Sequence, residues 1–125
     1  MIDYTWIAVQ VLFGALGAVS RLGVMSVVKP GRWSWGLFTV NMGGSLLVGI
    51  AVGAFSAGAI HWSVAAVVLA FAAGFTTFST LTLTAAEWAD RGELWRGLTL
   101  ATKHVLLGAV VAGVGYISAS ALFAA

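Results

Sequence analysis

The sequence predicts an all-α membrane protein: a single domain over residues 1–125, built from four transmembrane helices with a break in the third. Three observations predict it. Hydrophobic residues make up 61% of the chain against 8% charged, with a mean hydropathy of +1.03, whereas a soluble domain carries about 25% charged residues. Four apolar segments each reach the roughly 20 residues that a spanning helix needs. All six tryptophans (Trp6, Trp33, Trp35, Trp62, Trp88 and Trp95) fall at segment ends or in connectors, where amphipathic rings mark the membrane interface.

The first segment runs from about Trp6 to Val28 and ends at Lys29-Pro30-Gly31-Arg32. It lacks a basic start and is too long for a signal peptide. The second runs from about Trp35 to Ala57 and ends at Ala57-Gly58-Ala59-Ile60-His61. The third spans about Trp62 to Leu83 and the fourth about Leu98 to Phe123. Between them Glu87, Asp90, Arg91, Glu93 and Arg96 form either an exposed linker or the water-facing turns of two helices. Small residues at Gly14 and Gly17, Gly43 and Gly44, Gly49 and Gly53, and Gly108, Ala112, Gly113 and Gly115 mark faces where helices meet, within one subunit or between subunits.

Orientation follows from the basic residues. Lys29, Arg32, Arg91, Arg96 and Lys103 all fall at the first and third connectors or their flanks, and the opposite side holds none. The positive-inside rule then makes those connectors cytoplasmic and both termini external.

Composition also excludes. Without cysteine there is no disulfide framework and no thiolate site. Six basic residues against four acidic ones form no basic patch, so nucleic acid is set aside. Nothing resembles a nucleophile–base pair, which argues against an enzyme.

The third segment carries the chemistry. Thr76, Thr77, Ser79, Thr80, Thr82 and Thr84 crowd six hydroxyls into its later part, after Gly74. A span holds such a cluster only where it faces protein or a polar cavity. β-Branched residues after a glycine also weaken a regular helix, and a helix broken at membrane depth exposes backbone groups of the kind that build ion sites. The segment reads as part of an ion pathway.

Three runs carry a family resemblance: Gly14-Ala15-Leu16-Gly17-Ala18-Val19-Ser20-Arg21, Gly36 to Ser45 with Asn41 inside it, and Gly74-Phe75-Thr76-Thr77-Phe78-Ser79-Thr80. In order and spacing they resemble the small bacterial fluoride channels of the Fluc family, also called CrcB or camphor-resistance proteins. The resemblance covers nearly the whole chain and weakens in the fourth span. It implies passive, selective fluoride export across the bacterial plasma membrane by an antiparallel dimer with two pores. It implies a structural sodium ion held by backbone carbonyls, here those of Ala73 and Thr76, with Ala73 where the family has glycine. It places Asn41, Phe78, Ser79, Thr80, Thr77 and Leu81 on the anion pathway, and Arg21 near its vestibule. Fluoride, lipid and a homologous subunit are the implied partners.

Each residue also has a plainer reading. Phe78 forms a helical stripe with Phe71 and Phe75 that suits core packing. Asn41 suits helix–helix hydrogen bonding, and Arg21 suits interfacial anchoring. His61 reads as a solvated connector residue. His104 is open between pore lining, an interhelical hydrogen bond and an interfacial position.

Departures from the family pattern are specific. Leu81 stands where a second pore phenylalanine is expected, Thr84 replaces an acidic residue, and Leu100, His104 and Gly108 stand at fourth-span positions given to hydroxyls and tyrosine. Dual insertion needs nearly balanced basic residues, and this chain has five against none. The expectation is therefore one member of a pair, joined to an oppositely oriented homologue. A self-sufficient homodimer is the alternative. A multidrug exporter lacks its buried carboxylate here, and a non-transporting scaffold needs neither Asn41 nor the hydroxyl cluster.

Overall fold

The computed structural model describes residues 3–28 and 35–124. Lys29, Arg32 and Trp33, to which the orientation and interface expectations assign places, lie outside the described residues. Five helices follow in order: α1 (Tyr4–Val27), α2 (Trp35–Ser56), α3 (Trp62–Phe75), α4 (Phe78–Asp90) and α5 (Leu94–Phe123). They make four segments long and apolar enough to cross a membrane, with α3 and α4 together forming the third, Trp62–Asp90.

Asp3 caps α1, its carboxylate accepting from the Thr5 and Trp6 amides at 3.0 and 3.2 Å, which supplies partners for two orphan donors of the first turn. The Trp6 and Trp62 rings meet edge to face at 5.1 Å and tie the starts of α1 and α3 together. Helix α2 packs along α5, α1 along α3, and α4 against the start of α5.

Close approach at these crossings depends on missing side chains. A Cβ on Gly74 would collide with the Gly14 carbonyl, one on Gly49 with the Ala112 carbonyl, and one on Gly53 with the Tyr116 backbone. Gly113, expected on the same packing face, has nothing within 4 Å.

Two boundaries differ from expectation. The third segment runs on to Asp90, past Leu83, and α5 begins at Leu94, ahead of Leu98. Glu87 and Asp90 therefore end one helix and Arg96 starts the next, with a tight turn at Arg91-Gly92 where Gly92 has φ +79°. Charge does not interrupt these helices because their ends face water. Glu93 and Arg96 pair across the first turn of α5. Trp88, expected at a segment end, is half-buried against a core of Leu37, Leu81 and Leu100, with the Arg96 guanidinium 5.2 Å from its ring centre.

Candidate functional site: a helix break facing a cavity

Helix α3 makes its last turn at Phe75, closed by the Thr76 amide donating to the Ala72 carbonyl at 2.9 Å. Thr76 (φ −79°, ψ 161°) and Thr77 (φ −148°, ψ 112°) are extended, and α4 starts at Phe78. A break leaves backbone groups that hydrocarbon cannot satisfy. Here side chains from α1 and α2 satisfy the Thr76 carbonyl and both backbone groups of Thr77.

The Thr77 amide donates to Asn41 Oδ1 at 2.8 Å, and Asn41 Nδ2 donates back to the Thr77 carbonyl at 3.3 Å. The two backbone groups fix which end of the amide faces which way, since only Oδ1 accepts and only Nδ2 donates. Arg21 Nη1 donates to the Thr76 carbonyl at 2.9 Å. Thr77 then caps α4: its hydroxyl oxygen accepts from the Thr80 amide at 3.2 Å and meets the Thr80 and Ser79 hydroxyls at 3.0 and 3.2 Å. Gly44 leaves room for the Thr76 methyl, which a Cβ there would strike.

The break faces a cavity of about 610 Å³. Asn41, Gly44 and Ser45 line it from α2, Ala73 from α3, Thr76 and Thr77 from the break, Phe78 and Leu81 from α4, and His104 and Gly108 from α5. No lining residue is acidic. Asn41 uses one of its two N–H groups on Thr77 and keeps the second.

The residues singled out from sequence divide in two. Asn41, Ala73, Thr76, Thr77, Phe78 and Leu81 share the cavity; Arg21, Ser79 and Thr80 do not line it. Arg21 lies behind the break, holding its carbonyl. Ser79 and Thr80 belong to the α4 cap. Thr82 and Thr84 bond back to carbonyls of their own helix at 2.8–3.1 Å, the usual resort of hydroxyls in helices. Much of the hydroxyl cluster therefore serves the helix rather than the cavity.

Phe78 does not continue the Phe71–Phe75 stripe. Those two rings stack at 5.7 Å on α3, while Phe78 stands beyond the break and is 68% exposed. Leu81 is the reverse case: it lines the cavity yet is only 2% exposed, locked between Leu37 and Leu100. Sequence alone leaves the place of His104 open. It is buried, it lines the cavity, and its Nδ1 bonds the Leu100 carbonyl at 2.9 Å.

The donor set suits an alkali cation in kind, because uncharged carbonyl oxygens replace a hydration shell without selecting a divalent metal. The Ala73 carbonyl loses its usual helical donor, since the Thr77 amide turns to Asn41, and keeps only the Thr76 hydroxyl at 3.4 Å. No non-glycine residue described has positive φ, so alanine at position 73 adopts this backbone without strain. Thr76 offers its second lone pair, the first being taken by Arg21.

A family model described as CrcB-like protein, Camphor Resistance (CrcB), matches residues 8–116. The chain belongs to the CrcB family. Among curated CrcB relatives, the fluoride-specific ion channel FluC of Nitrobacter winogradskyi is 34% identical over 122 residues, covering 89% of this chain and 94% of the relative. FluC 1 of Nitrobacter hamburgensis is 33% identical with the same coverage. FluC 1 of Symbiobacterium thermophilum is 37% identical over 117 residues, again covering 89% and 94%. The family and these names are those of an ion channel rather than an enzyme, and with four spans the chain is a multi-pass membrane protein.

Proposed function

We propose that this chain is a subunit of a fluoride-selective channel that lets cytoplasmic fluoride leave passively across the bacterial plasma membrane. The observation that carries this reading is the cavity at the helix break, which offers neutral donors and no carboxylate to an anion. The relatives' names point to fluoride. An anion shedding water there meets the spare N–H of Asn41, the hydroxyl of Ser45 and the electropositive edge of Phe78. Arg21 contributes positive charge from behind the Thr76 carbonyl.

A structural sodium ion would be held by the Ala73 and Thr76 carbonyls, at an edge where a second subunit adds its own. When bound, the ion would give a partner to the Ala73 carbonyl, which the break leaves with one long hydrogen bond. The exposure of Phe78 and Ala73 supports a partner covering this face. The one-sided basic residues support a partner of opposite orientation, a homologue rather than a second copy, with both termini of this chain outside.

Growth of a bacterium stripped of its own fluoride export tests the reading. Expressed with an oppositely oriented homologue, the chain restores growth in fluoride. Rescue by the chain alone would instead favour a homodimer, and failure of every combination would remove the fluoride assignment.

A further inference from the structure

Three residues that line the cavity carry hydroxyls, Ser45, Thr76 and Thr77, and the two threonines have already committed their protons. The Thr76 hydroxyl donates to the Ala72 carbonyl at 3.0 Å, at the end of α3. The Thr77 hydroxyl donates to Thr80 Oγ1 at 3.0 Å, inside the α4 cap. Ser45, on α2, differs. A helical hydroxyl ordinarily bonds back to a carbonyl of the preceding turn, as those of Thr82 and Thr84 do. The Ser45 hydroxyl has no hydrogen-bond partner among the described residues. Nor is it sealed in the packing, as the unpaired His104 Nε2 is. An O–H inside a span gains nothing from hydrocarbon, so this one is free for a polar guest in the cavity.

The facing helix shows where the hydroxyl points. Ser45 Oγ lies 3.1 Å from the position that a Cβ on Gly108 of α5 would take, and both residues line the cavity. Glycine at 108 leaves the hydroxyl uncovered, whereas an alanine methyl would press against it. One turn before Ser45, and so on the same face of α2, Asn41 keeps the N–H that Thr77 does not use. No acidic residue lines the cavity to compete for either donor. We infer that Ser45 is an anion-binding residue: its hydroxyl and the spare Asn41 N–H hold one fluoride between them, in the space that Gly108 leaves open. This rests on the fluoride reading. It adds the side chain that sets how tightly the ion is held, and the glycine that keeps that side chain accessible.

Two measurements on the chain, with its partner subunit if one is needed, decide it. The first is melting in detergent over a series of sodium fluoride concentrations against sodium chloride, since a bound anion stabilises the folded protein. Without fluoride, Ser45→Ala should melt as wild type does, because the hydroxyl has no protein bond to lose. It should need about tenfold more fluoride for the same rise, the low end for a hydrogen bond to a charged group. Gly108→Ala should weaken the fluoride effect by covering the hydroxyl, and should add nothing once Ser45 is already alanine. Wild-type fluoride dependence in Ser45→Ala overturns the inference. So does a Gly108→Ala effect that is the same with and without Ser45, or fluoride that stabilises wild type no more than chloride. The second measurement is fluoride efflux from liposomes, corrected for protein-free liposomes. Wild-type efflux beside any of those results leaves the fluoride reading standing and removes this inference alone. Stabilisation that depends on Ser45, without efflux, supports the site and refutes conduction. If Gly108→Ala does not fold, Ser45→Ala decides alone.

Discussion

Asn41 is an amide in the middle of an apolar helix, and its position was legible in sequence because such a group is costly unless it has work to do. What sequence could not give was the partner. The amide pairs both backbone groups of Thr77, 36 positions away, a contact that exists only once α2 lies beside the break. Helix glue and anion donor, set out as rival readings, turn out to be compatible, since one N–H binds Thr77 and the other is left over. Thr77 is 4% exposed, so Asn41→Ala strands two buried backbone groups, each costing about 1–3 kcal/mol when unpaired. The expected outcome is a lower melting temperature in detergent together with lost fluoride efflux. A variant of unchanged stability would show that the Asn41–Thr77 pairing contributes little. Leu81 was harder to read, because its departure from the family pattern says nothing of burial. Its lodging between Leu37 and Leu100 makes it a wall of the cavity rather than a free pore side chain.

The hydroxyl-rich run drew attention to the right element for a partly different reason. Two of its β-branched threonines, Thr76 and Thr77, stand where α3 gives way to α4, and Thr77 supplies the cap that restarts the helix. The remaining hydroxyls mostly bond within α4, which no spacing rule separates from pore lining. The small-residue faces were legible as a class, yet only packing shows which glycine is indispensable. Gly74 meets the Gly14 carbonyl, whereas Gly23 has nothing within 4 Å. Gly74→Ala therefore pushes α1 from α3, next to the break that Arg21 of α1 supports, and should lower thermal stability sharply. Gly23→Ala should be neutral or slightly stabilising, because alanine favours a helix by up to about 1 kcal/mol over glycine. Equal effects of the two substitutions in a detergent melting series would contradict this packing.

At the scale of the whole molecule, four spans and their order could be read from hydropathy alone, because a bilayer forces each segment into a helix of spanning length. The charged stretch from Glu87 to Arg96 blurred two helix ends, since water-facing turns tolerate charges that a span does not. Within one subunit the cavity has its donors and the break has its supports, but Phe78 stands open at the surface. Under the proposed function the finished pathway forms in an assembly and is selective for fluoride. The most direct test is efflux from liposomes loaded with fluoride or chloride, containing the purified chain with an oppositely oriented homologue, and read with ion-selective electrodes. Fast release of fluoride and retention of chloride are expected. Equal release of both anions, or release of neither, would contradict the proposed function.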